Sequence, residues 1–243
     1  MRIYVCNQST IVSNSQVQKI IQAMNTFLIT LCKDWSITTV QMFQSFSTPS
    51  KILDNTIFIF DNSDSPDALG YHFDVEGLAV GYVFAKTIID YGGDVLYKDA
   101  TTSTVSQCLC HEALEMIGNA NVNKWFLDNK GAFWAGELCD AVESNIITVT
   151  LPGNVRVAMS DYVLPNWFSP NSTKRPFNKL NTLTGPFKID KWGYSIVIKN
   201  NRIVAVWGQS FLETNFRGTN SSYDKKIEVE SDINEMKLKF GFN

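Results

Sequence analysis

A chain of 243 residues, 44% of them hydrophobic, can bury a sizeable core as one large domain or two closely packed lobes, which excludes a disordered chain. Its formal charge of −3, with short basic pairs only at Lys174-Arg175 and Lys225-Lys226, leaves no electrostatic footprint for nucleic acid or anionic lipid. No segment has the roughly 20 continuous apolar residues of a membrane span, and Met1 to Asn7 has no signal-peptide stretch, so the odd set of five cysteines reads as reduced thiols in a soluble protein made in the cytoplasm.

Arg2 to Asn7 alternates weakly and predicts a first strand. Ser13-Asn14-Ser15 supplies capping side chains for a long helix whose apolar face is Val17, Ile20, Ile21, Met24, Leu28 and Leu31, with Gln16, Gln18, Lys19 and Gln22 toward water. Ile37 to Phe43 and Thr56 to Phe60 are β-branched and aromatic and read as strands, the second ending at the turn-forming run Asp61 to Pro66. Leu78 to Ile89 is expected to add one or two strands, and Thr102 to Ile117 a helix with Leu109, Ala113 and Met116 on its buried ridge. Asn119 to Lys130 reads as irregular. Arg156 to Val163, Tyr194 to Lys199 and Arg202 to Trp207 are strand candidates, and Asn200-Asn201 is a two-residue hairpin turn because asparagine tolerates the positive φ such turns need. From Arg217 the chain is polar, although Ile227, Val229, Ile233, Met236, Leu238 and Phe240 leave apolar groups for docking. The expected class is α+β: residues 1–118 form a lobe with a twisted mixed sheet, a long backing helix and a second helix that carries the chemistry. Residues 119–216 form a β-rich lobe that completes the site, and residues 217–243 a polar tail.

The chemistry gathers at His111-Glu112-Ala113-Leu114-Glu115-Met116-Ile117-Gly118, the zinc-peptidase helix signature His-Glu-x-x-His-x-x-Gly with its second histidine replaced by glutamate. On a helix His111 and Glu115 share a face and can hold one cation, while Glu112 projects about 100° around the axis and is placed to act as the base. Gly118 can take the left-handed conformation that ends a helix and turns the chain back toward a further ligand. Glu137-Leu138-Cys139-Asp140-Ala141-Val142-Glu143 spaces three carboxylates three apart, so Glu137 and Asp140 share a face if the stretch is helical. Glu137 is the favoured third ligand. Asp140 either binds the cation or orients His111 through its other ring nitrogen, and Glu143 is the third candidate. Burying this much negative charge calls for a cation. With one histidine and two carboxylates the bound water is less acidic than in a two-histidine site, and harder oxygen ligands draw the preference from zinc toward manganese, iron or calcium.

Four segments together, residues 67–72 (Asp67-Ala68-Leu69-Gly70-Tyr71-His72), the His111 signature, Glu137 to Glu143 and residues 160–168, carry a wider likeness. Through them the chain resembles an uncharacterised set of phage and bacterial zincin-like metallopeptidases with a His-Glu-x-x-Glu motif. The metzincin pattern, by contrast, requires a third histidine where this chain has Asn121. The resemblance implies a zincin-like fold, zinc as the first choice of ion, a peptide or protein substrate, and synthesis in a host cell with packaging in a virion among other virion proteins as one outcome.

Competing assignments stand beside these. His72, the one other histidine, can line the cleft and donate to a developing oxyanion, or serve a structural hydrogen bond. Tyr162 and Tyr194 are donors of the same kind or core residues. Cys108, Cys110, His111 and Cys139 would form a structural zinc knot, but positions 108 and 110 point about 200° apart on a helix, so buried thiols are the simpler account. Trp167, Phe168, Phe177, Phe187 and Trp192 line a substrate wall or fill a second core. Two functions follow: a metal-dependent hydrolase, or a non-enzymatic virion or host-interaction protein that keeps a structural metal site.

Overall fold

The computed structural model describes residues 1–46, 52–64, 68–208 and 213–215, so the expected tail 217–243 with its Lys225-Lys226 pair, the Ser65-Pro66 end of the turn run and Asp67 lie outside the described residues. The first strand, β1 (Arg2–Asn7), is followed by α1 (Asn14–Asp34), which starts where the sequence places it: Ser13 Oγ accepts from Gln16 N at 3.2 Å while Gln16 Oε1 accepts from Ser13 N at 2.9 Å, a reciprocal capping box. The apolar stripe of α1 is buried as its spacing predicts, widened by Ala23 and Phe27. Next come β2 (Gln41–Ser45), β3 (Asn55–Phe60), β4 (Gly70–Val75) and β5 (Leu78–Phe84), which assemble in the order β2-β1-β3-β5-β4. All pairs are parallel except β4 with β5, so the sheet is mixed and its antiparallel edge strand is β4. Strand alternation divides the two faces. Ile57 and Ile59 join the main core under α1 and the later helices, whereas Cys6, Phe58 and Val80 pack with Phe60, Phe73 and Tyr82 on the other face.

After β5 the chain forms a short helix, α2 (Ala85–Asp90), rather than a second strand, because from Ala85 the apolar period changes and Lys86 pairs with Asp90 one helical turn later. The signature helix, α3 (Val105–Gly118), starts three residues later than expected, at Val105, and is capped by Thr104, whose side chain accepts from Gln107 N at 3.1 Å. It is buried without interruption from Val105 to Met116 and not along one ridge. The cause is a sandwich: α3 packs on β4 and β5 on one side and on β9 on the other.

The remaining strands are β6 (Trp125–Leu127), β7 (Phe133–Ala135), β8 (Ile146–Leu151), β9 (Val155–Ser160), β10 (Tyr194–Lys199), β11 (Arg202–Trp207) and β12 (Glu213–Asn215). Strands β8 and β9 form a hairpin, and the other five an antiparallel sheet in the order β12-β11-β10-β7-β6. The β10–β11 hairpin matches its sequence reading, with Asn200 and Asn201 at φ 50° and 58°. Strands β4, β6, β7, β8 and β12 have no counterpart among the expected strands, β2 lies further along than Ile37 to Phe43, and β9 ends at Ser160 rather than Val163. The stretch from Glu137 to Glu143 is not a helix, since only Asp140–Val142 makes a single 3-10 turn. One cluster of buried side chains runs from Ile3 through α1 and α3 to Val204, so residues on both sides of position 118 share a core.

Candidate metal centre

Strand alternation sends His72 to the face opposite Tyr71 and Phe73, and that face carries α3. Two glycines let the helix come close. A side-chain carbon built on Gly70 would lie 2.8 Å from Tyr82 O and 3.1 Å from Glu112 Oε1, and one on Gly81 would lie 3.2 Å from Met116 Sδ and 3.6 Å from Glu112 Cβ. His111, Glu112 and Glu115 come from α3, and Glu137 and Asp140 from the segment that follows β7. All of these, with His72, are buried.

Two groups of three ligand-type side chains converge, and they share one member. His111 Nε2 lies 3.0 Å from Glu115 Oε1 and 3.4 Å from Asp140 Oδ1. His72 Nδ1 lies 3.3 Å from Glu115 Oε2 and 3.4 Å from Glu112 Oε2. Within each group the ligand atoms lie within 4.8 Å of one another, a spacing that could hold a divalent metal. Asp140 approaches the same ring nitrogen of His111 as Glu115 does, and not the other nitrogen. Glu137 belongs to neither group: its Oε2 lies 3.9 Å from Nε2 of His72, and its Oε1 accepts from Asn119 Nδ2 at 3.4 Å. Glu143 is half-buried and also in neither group; its main-chain oxygen accepts from Gln107 Nε2 at 2.9 Å.

Asn119 was not singled out from sequence, although its place just after the helix marks it as a cap. Its Oδ1 accepts from Asn123 N and Lys124 N, which fixes the amide that reaches Glu137. Gly118 does not adopt the left-handed conformation expected of it. Its missing side chain instead makes room for Leu138, whose Cγ would lie 2.6 Å from an added carbon, and this contact brings the neighbouring Glu137 up to the end of α3.

Electrostatics follow from the burial. Among the described residues the buried ionisable side chains at this centre are four carboxylates and two imidazoles, and no lysine or arginine is buried with them. Burial alone would lower the pKa of His111, but Glu115, Asp140 and Glu112 outweigh it and raise it well above 6.5. The thiols of Cys108 and Cys139 are raised by burial and then by nearby carboxylates, and burial pushes Cys110 up to about 12. All three are buried free thiols, and no cysteine enters a ligand group among the described residues, which favours core packing over a zinc knot. The Tyr162 hydroxyl donates to Asp34 Oδ2 at 2.7 Å, and Tyr194 packs its ring on Trp207. Trp167, Phe168 and Phe177 are core residues, Phe187 packs on Trp134 and Trp167, and Trp192 is 55% exposed. No helix among the described residues is long and apolar enough to cross a membrane. Compared with protein-family models, curated proteins and solved structures, the chain finds no match.

Proposed function

We propose that this chain is a metal-dependent hydrolase, of the zincin-like peptidase type and phage-associated, working at the centre built around Glu115. The observation that carries it is a single buried carboxylate with an imidazole on each side, at 3.0 Å and 3.3 Å, and further carboxylates next to both. His111, Glu115 and Asp140 are the residues that would hold the cation, which when bound polarises a scissile carbonyl and lowers the pKa of water. Glu112 is the base: it is placed to take a proton from water and return it to the leaving amine, and His72 lies beside its Oε2 at 3.4 Å. A peptide suits the edge strand β4, which can pair with an extended chain and lay it across the centre that His72 helps to build. Zinc stands first through the family resemblance, while the oxygen-rich donor set equally suits manganese, iron or calcium.

The test is a pair of isosteric variants assayed for bound metal and for cleavage of a peptide library. Glu112→Gln is expected to abolish cleavage while keeping the ion at His111, and Glu115→Gln to lose both. Cleavage at the wild-type rate by Glu112→Gln would refute Glu112 as the base, and no cleavage by the metal-loaded wild-type chain would refute the hydrolase. The deep burial of the centre, where His111 has the most exposed side chain at 11%, favours a second reading, a virion or host-interaction protein stabilised by its ion. Under it the wild-type chain binds metal and cleaves nothing, and Glu112→Gln leaves its biological role intact.

A further inference from the structure

We infer that the centre takes two divalent cations bridged by Glu115, one held by His111, Glu115 and Asp140 and the other by His72, Glu112 and Glu115. The inference rests on the metal-dependent reading above and extends it. Its first support is the direction of the two Glu115 oxygens: Oε1 faces His111 Nε2 at 3.0 Å and Oε2 faces His72 Nδ1 at 3.3 Å, the arrangement of a carboxylate that spans a metal pair.

The second support is the setting of His72. Its Nε2 lies 3.9 Å from Glu137 Oε2, and Glu137 is itself held by Asn119, so a cation at Nδ1 would leave the other ring nitrogen directed toward a carboxylate, as in metal-binding histidines. Nδ1 lies 3.3 Å from Glu115 Oε2 and 3.4 Å from Glu112 Oε2. The two carboxylates that converge on this nitrogen repel each other, and a cation among the three groups turns the repulsion into coordination.

Charge supplies the third support. Glu112, Glu115, Glu137 and Asp140 bring four negative charges into a region where no lysine or arginine is buried among the described residues. One divalent ion neutralises half of that charge and two neutralise all of it, with both imidazoles neutral as ligands must be. One imidazole and several carboxylate oxygens per ion match manganese or ferrous iron better than zinc. Glu112 would bind through Oε2 and keep Oε1 for the proton.

The experiment uses the full chain, stripped with a chelator and reloaded with Mn2+, read by metal analysis and by electron paramagnetic resonance. Two ions per chain with the spectrum of a spin-coupled pair is the expected result, and His72→Ala is expected to hold one ion with an isolated-ion spectrum. One ion per wild-type chain, or two ions with no coupling between them, overturns the bridged pair and leaves the hydrolase reading standing. No bound ion overturns both. Should His72→Ala fail to fold, the wild-type stoichiometry and spectrum decide without it.

Discussion

Gly70 belongs to β4 but serves α3. A methyl group there would meet Cys108 Sγ at 2.7 Å and Tyr82 O at 2.8 Å, and the second of these is main chain of the paired strand and cannot rotate away. The backbone of Gly70 does not need a positive φ, so alanine would gain a few tenths to about 1 kcal/mol from the unfolded chain. Overpacking a close contact costs about 1–3 kcal/mol, so the steric effect wins. Gly70→Ala is therefore expected to destabilise the fold and, by forcing β4 from α3, to weaken metal binding at His72, two residues along. A denaturant midpoint and a metal titration on the same sample check both effects, and unchanged stability would show that β4 and α3 are not packed this tightly. Single residues were unequally legible. His111, Glu112 and Glu115 announce themselves because helical spacing turns a motif directly into a shared face. His72 and Asn119 do not, since their value lies in partners 40 and 18 residues away. Gly118 was noticed for the wrong reason, as a turn former and not as the seat of Leu138.

At the scale of elements, the N-terminus of α3 is a lever on the centre. Thr104 caps it through Gln107 N, and Ser106, the second residue of the helix, donates to Leu96 O at 2.7 Å, tying the helix start to the loop before it. Losing a threonine cap costs about 1 kcal/mol. Thr104→Ala is expected to show that loss together with weaker metal binding, whereas Ser13→Ala, which removes the cap of α1, should cost a similar amount and leave metal affinity unchanged. Equal effects of both variants on metal affinity would mean that α3 has no privileged coupling to the site. Elements with local signals were read well: the capping box of α1 and the Asn200-Asn201 turn depend on a few adjacent residues. Strand β4 carries a legible signal, since Tyr71, Phe73 and Val75 alternate with His72 and Asp74, but the polar face that this pattern would send to water is the one that buries His72. The turn joining it to β5 uses Glu76 and Gly77 at φ 52° and 84°, and a glutamate at positive φ is no turn signal in sequence. The short strands β6 and β7 exist through pairing with each other and with β10, a contact some 60 residues away that no window of sequence contains.

For the whole molecule, the centre joins β4, α3 and the segment after β7, so a bound cation links parts of the chain that the core already brings together. An ion that binds only the folded state stabilises by mass action, about 4 kcal/mol at a thousand times its dissociation constant, which for a chain of this size is on the order of 10 °C in Tm. The pH dependence separates this from a generic salt effect. Without metal, His111 has its pKa raised above 6.5 by Glu115, Asp140 and Glu112, which overcome the opposing effect of burial. A group raised on folding contributes its full stability below the unfolded value of 6.5 and loses it as pH climbs through the folded value, so the metal-free chain should become less stable from about neutral pH upward. With metal the sign reverses, because the ion needs a deprotonated imidazole and binds more tightly as pH rises. The difference in Tm between loaded and chelated protein should therefore widen from pH 6 to pH 8.5, measured by thermal unfolding at fixed free metal. A difference that stays constant or narrows would mean that His111 is held as a protonated partner of Glu115 and Asp140, and that the buried carboxylates are balanced by imidazolium and not by a cation.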